Sequence, residues 1–138
     1  MCDVLRGARL PGMEIKHRMI VFDAADIDAE SAFWAAFLGG TVEEWGDRWR
    51  AIWVDGEWAL GVQSAPNHVP PDWPDGSPQQ MHLDFYFEGL EAHDAAHEQV
   101  ISLGGRLLKA ADDRTAARGV QVYADPAGHP FCLCWVPS

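Results

Sequence analysis

The feature that most restricts this chain is an internal duplication. A histidine opens each copy: His17 leads into Met19-Ile20-Val21-Phe22-Asp23, and His82 leads into Leu83-Asp84-Phe85-Tyr86-Phe87. Each copy then passes through an Ala-rich stretch to Leu-Gly-Gly, and the spacings His17 to Gly39 and His82 to Gly104 are both 22 residues (39 − 17 and 104 − 82). A repeated unit of this kind folds as one supersecondary module, and two modules share a core that neither can build alone. It also puts one imidazole at the same place in each copy.

Within each copy the apolar period switches. A β-rich run over Glu14 to Phe22 predicts a strand. From Asp28 onward, Ala29, Ala32, Phe33, Ala36 and Phe37 fall on one helical stripe, with Asp26 or Asp28 as cap and Gly39-Gly40 as stop. Strands are expected at Thr41–Trp45, Trp49–Val54 and Trp58–Gln63, with Asp55-Gly56 as the hairpin turn between the last two. The second copy repeats the order. A strand at Met81–Phe87, a helix from Leu90 to Leu103, and strands at Arg106–Ala110, Val120–Ala124 and Phe131–Val136 are expected. Asp125-Pro126-Ala127-Gly128 is a β-turn signature. The pattern therefore predicts an α+β protein of two βαβββ modules. Residues 1–12 read as a loose N-terminal extension, with Met13 as the natural start. Residues 13–138 form a single domain, divided into module one at 13–63, a Pro-rich linker at 64–79 and module two at 80–138.

Composition narrows the partners. A net charge of −11, with Lys and Arg scattered singly, argues against nucleic acid and anionic membrane surfaces. No apolar run approaches the roughly 18 residues of a membrane span. Cys2, Cys132 and Cys134 make no disulfide framework, and reduced thiols fit a cytoplasmic location.

The paired modules, the Phe33-Trp34…Leu38-Gly39 helix, the histidine opening module two and the Asp125-Pro-Ala-Gly-His129-Pro-Phe131 turn together resemble the vicinal oxygen chelate superfamily. That group holds glyoxalase I, extradiol dioxygenases and the bleomycin and fosfomycin resistance proteins. Pro71-Asp72-Trp73-Pro74 ahead of Gln80-Met81-His82-Leu83-Asp84 is similar to its glyoxalase-like branch. The resemblance spans about Glu14 to Trp135. It implies a curved sheet from each module, the two enclosing a cavity, and metal ligands on the first strand of each module with a carboxylate on the last.

Carried over position by position, His82 matches the ligand of module two. His17, or Met19 by counting back from the helix, matches that of module one. The carboxylates are where this chain departs: Gly61 and Gln63 stand on the closing strand of module one, and Cys132 follows Phe131 in module two. The expectation is therefore a small-molecule-binding protein without the full metal site. The alternative is a metal-dependent lyase, isomerase or dioxygenase, with Zn, Ni or Fe held by His17 and His82 and Cys132 as a third ligand favouring Zn. Trp45, Trp49, Trp53 and Trp58 crowd module one and suggest an aromatic-lined cavity for a small organic molecule. The expected pocket comprises His17, Met19, Trp49, Trp53, Gln63, His82 and Cys132. The resemblance further implies a homodimer. His93 and His97, four apart on a helix, read as structural or surface residues, and His129 as a turn stabiliser. Arg48 and Arg50 pair with acidic neighbours or rim the mouth.

Overall fold

The computed structural model describes Gly7, Met13 and residues 15–137. The rest of the expected N-terminal extension, including Cys2, and Glu14 lie outside the described residues. The first module runs β1 (Ile20–Ala24), α1 (Ile27–Leu38), β2 (Thr41–Trp45), β3 (Trp49–Val54) and β4 (Glu57–Ser64). The second runs β5 (Leu83–Glu88), α2 (Gly89–Ser102), β6 (Arg106–Lys109), β7 (Gly119–Ala124) and β8 (Pro130–Val136). Each module forms its own four-stranded sheet, ordered β1-β4-β3-β2 and β5-β8-β7-β6. In both, the first strand lies parallel to the last and the other pairs are antiparallel. This is the paired-module α+β fold that the duplication predicts.

The first strand starts later than its sequence suggests. β1 meets β4 only from Ile20 opposite Leu60 to Ala24 opposite Ser64, so His17 and Met19 have no ladder partner there and precede the strand. His82 likewise stands one residue ahead of β5.

Helix α1 begins and ends where the local chemistry directs. The Asp26 carboxylate accepts from the Ala29 amide at 3.0 Å, and Gly39 ends the helix in the left-handed region at φ 71°. Its buried face keeps Phe33 and Phe37 of the expected stripe but not the alanines: Ala29, Ala32 and Ala36 are exposed, whereas Ile27, Glu30, Ser31, Trp34 and Ala35 join Phe33 in being buried. Alanine carries too little surface to orient a helix, so the large rings decide the rotation. Trp34 lies 5.3 Å from Phe22 in its own sheet and 5.0 Å from Phe131 in the other, and Phe37 lies 5.2 Å from Phe85. One apolar core thus joins both modules through α1. Its indole nitrogen donates to Asp125 Oδ2 at 2.9 Å, fixing the helix to the turn between β7 and β8.

Beyond the core side, β4 carries a bulge. Ile52 faces Leu60 but Trp53 faces Trp58, leaving Ala59 as the extra residue. The shift puts Trp58 beside Trp53 on the face turned away from α1. Arg50 does not rim a mouth: it reaches Asp28 at 3.0 Å and the Gly46 carbonyl at 2.9 Å.

Candidate functional site

On the face of sheet two turned away from α2, alternation along β5 and β8 aligns three polar side chains. Asp84 and Cys132 are direct partners in the parallel ladder. His82 lies two residues before Asp84, hence on the same face, and its Nε2 sits 3.3 Å from Asp84 Oδ1. One donor atom from each of His82, Asp84 and Cys132 lies within 4.8 Å of the others. Burial, followed by the hydrogen bond to Asp84 and its charge, pushes the Cys132 thiol up to about 12. Cys134, one pleat further, is also raised, mainly by burial. At neutral pH both are protonated thiols, and the Cys132 thiol donates toward the Asp84 carboxylate. Trp73 from the linker and Leu108 pack over Val122, Cys132 and Cys134.

Two hollows meet at His82. One, of about 530 Å³, opens between β1 and the entry to β5, bounded by Val21, Asp23, Pro70, Gln80, His82 and Phe131. The other, of about 490 Å³, is walled by Trp73, Gln79, His82, Lys109, Arg118 and Cys132. The Gln79 side-chain oxygen is buried there without a partner.

Of the seven expected pocket residues, the fold brings His82 and Cys132 together. The other five, His17, Met19, Trp49, Trp53 and Gln63, belong to module one and line neither hollow. His17 stacks on Trp58 with ring centroids 4.8 Å apart, and Trp53 stacks on the same ring at 6.4 Å. Trp49 covers Gly61, where an added Cβ would lie 2.5 Å from its ring. Gln63 faces Trp49 in the ladder and is exposed, and Met19 is half-buried just before β1. The indole nitrogens of Trp49 and Trp53 are buried without hydrogen-bond partners.

Asp84 is the member of this group that the motif spacing alone does not single out. Its signal was present, since a residue two positions from His82 on a strand shares its face. The carboxylate thus comes from the strand that follows the histidine, not from the closing strands. His93 is fully buried against the Trp135 ring and His97 bonds the Tyr123 hydroxyl at 2.7 Å, so both serve the scaffold.

The model of the glyoxalase-like domain family matches residues 19–134. The chain belongs to that family. Among curated proteins none matches the sequence. The glyoxalase-like chain is similar in fold to a glyoxalase/bleomycin resistance protein/dioxygenase family enzyme from Burkholderia phytofirmans PsJN, at 21% identity over 86% of this chain and 96% of that one, with a TM-score of 0.64. It is also similar to the fosfomycin resistance protein FosX from Listeria monocytogenes, at 16% identity over 89% and 94% of the two chains, with a TM-score of 0.65. A third neighbour is a glyoxalase-related enzyme from Fulvimarina pelagi, at 18% identity over 88% of each chain and a TM-score of 0.64. At these identities the likeness of the glyoxalase-like domain to each neighbour is one of fold.

Proposed function

We propose that this glyoxalase-like protein binds a small organic molecule on the open face of sheet two, with His82, Asp84 and Cys132 as its polar floor. The observation that carries the reading is that His82 borders both hollows, with Cys132 in the wall of the second and Asp84 beside both side chains. A mostly apolar wall with a few convergent polar groups is the usual make-up of a ligand site. His82 can donate to a ligand oxygen or accept from a ligand hydroxyl, Asp84 holds the imidazole in place, and the Cys132 sulfur, its proton turned to Asp84, offers a weak acceptor. The indoles of module one extend the aromatic lining when the two sheets face a common ligand. Titration with aromatic and 2-oxoaldehyde-derived compounds, followed by tryptophan fluorescence, is expected to give saturable quenching that His82→Ala abolishes. Absence of quenching by every compound would sink the reading.

The donor set favours a second reading. Imidazole, carboxylate and thiol within 4.8 Å suit a zinc-class ion, with His82, Asp84 and Cys132 as ligands once the thiol proton is displaced. Such an ion would supply Lewis-acid polarisation of a substrate oxygen, the chemistry of a lyase or isomerase. Stoichiometric metal that vanishes in both His82→Ala and Cys132→Ala would establish it, and metal-free protein that still binds ligand would favour the first reading. In either case the apolar side chains Val21, Tyr86 and Val120, exposed on the open faces, fit a homodimer, which light scattering tests. The free thiols Cys132 and Cys134 fit a reducing, cytoplasmic location.

A further inference from the structure

Outside that face, the junction between the modules holds a second group of donors that the proposed ligand site does not use. Glu30 sits in the first turn of α1 and is fully buried. Both of its carboxyl oxygens are shielded from solvent and lack a hydrogen bond of proper geometry, although Asp125, the Trp34 indole and the Ala127 amide lie near. A buried carboxyl left in that condition is costly. Asp125, 1% exposed, is by contrast firmly held: Oδ2 accepts from the Trp34 indole at 2.9 Å and Oδ1 from the His129 amide at 2.8 Å. His129 completes the group, its Nε2 lying 3.7 Å from Glu30 Oε2 and 2.8 Å from the Asp23 carbonyl.

We propose that Glu30, Asp125 and His129 form a divalent-cation site that ties α1 of module one to the β7–β8 turn of module two. One donor atom from each lies within 4.8 Å of the others, close to the spread of ligands around a single ion. Two carboxylate oxygens and one imidazole nitrogen suit Zn, Mn, Fe(II) or Co(II), once the ion displaces the Nε2 proton that His129 donates to the Asp23 carbonyl. Among the described residues, no Lys or Arg pairs with Glu30 or Asp125, and His129 is the one basic group at salt-bridge distance. The protein itself therefore brings two buried carboxyls and no fixed cation. Without an ion a proton must fill the role, and burial followed by the Asp125 charge raises Glu30 to about 10. His68 and Asp23 stand behind His129 on the wall of the larger hollow, which also contains Trp34 and gives an ion a way in. The site shares no residue with the His82 group.

Cobalt titration of chelator-stripped protein tests the assignment. In a Cys132→Ser background, which removes the thiolate from the other group, one equivalent of Co(II) is expected to bind with visible d–d absorption and no sulfur charge-transfer band. It should raise the thermal midpoint and persist in the added variant Asp84→Asn. Glu30→Gln, equal in size and uncharged, is expected to weaken binding about 100-fold or more, beyond the effect of losing a mere supporting contact. His129→Gln, at a half-buried position, makes the same test if Glu30→Gln fails to fold. Lack of Co(II) binding in the Cys132→Ser protein, or binding unchanged by both Glu30→Gln and His129→Gln, would overturn the proposal and leave a carboxyl pair sharing a proton.

Discussion

At the scale of single residues, two side chains carry pH behaviour whose sign follows from their surroundings. A Glu carboxyl ordinarily titrates at 4.5, whereas the folded chain holds the Glu30 proton to about 10. Below 4.5 both states are protonated and the contribution to stability is complete. As pH climbs from there toward 10, the unfolded chain ionises first, and stability is progressively lost at a limiting slope of about 1.4 kcal/mol per pH unit. Chelator-treated protein is therefore expected to show a lower urea midpoint at pH 9 than at pH 6, and Glu30→Gln to flatten that difference. Cys132 behaves as a buried thiol, so alkylation at pH 8 should be slow in the native state and fast in urea. Since Asp84 contributes to its raised value, Asp84→Asn should accelerate alkylation in a Cys2→Ser, Cys134→Ser background, each pKa unit lost giving about ten times more thiolate. Unchanged rates would show that Asp84 does not hold the thiol proton.

Elements fit together here through close approaches that admit no larger residue. A Cβ on Gly119 would lie 2.1 Å from the Trp135 ring, which cannot swing away freely because its nitrogen donates to the Ala116 carbonyl at 3.0 Å and the ring packs T-shaped with His93. Gly119→Ala is expected to cost about 1–3 kcal/mol in chemical denaturation. Much of the element layout was legible beforehand. Asp26 and Gly39 announce the limits of α1, and Asp55-Gly56 announces its hairpin, because caps and tight turns depend on local chemistry alone. The facing of α1 was legible only through Phe33 and Phe37, which do pack into the core: Glu30 and Ser31 lie on its buried side against their polarity, and three alanines on its exposed side. The bulge at Ala59, which moves Trp58 to the open face, was not legible, since alternation along one strand carries no record of its partner's register.

Taken whole, the molecule is two ladders held by one set of rings. Trp34 touches Phe22 of one sheet and Phe85 and Phe131 of the other, and its bond to Asp125 spans 91 positions of sequence. Far-UV dichroism and tryptophan fluorescence are accordingly expected to report one coincident urea transition. Trp34→Phe, which keeps an aromatic group but trims the buried indole and removes the donor to Asp125 Oδ2, should lower stability by about 1–3 kcal/mol. Separate transitions for the two probes would contradict a shared core. The duplication made this architecture readable, because equal spacing forces equal modules. The grouping of His82 with Cys132 came instead from the resemblance to the glyoxalase-like group, which sets both in one expected pocket. The duplication could not reveal that Glu30 meets Asp125 and His129, since only the packing of one module on the other brings those positions together. Among the described residues the two sheets share no backbone hydrogen bonds, and their first strands flank the larger hollow. That seam is lined by side chains and by the proline-rich crossing, so single substitutions can reshape the hollow while both ladders keep their register. Such a scaffold can change the shape of its hollow without having to learn to fold again.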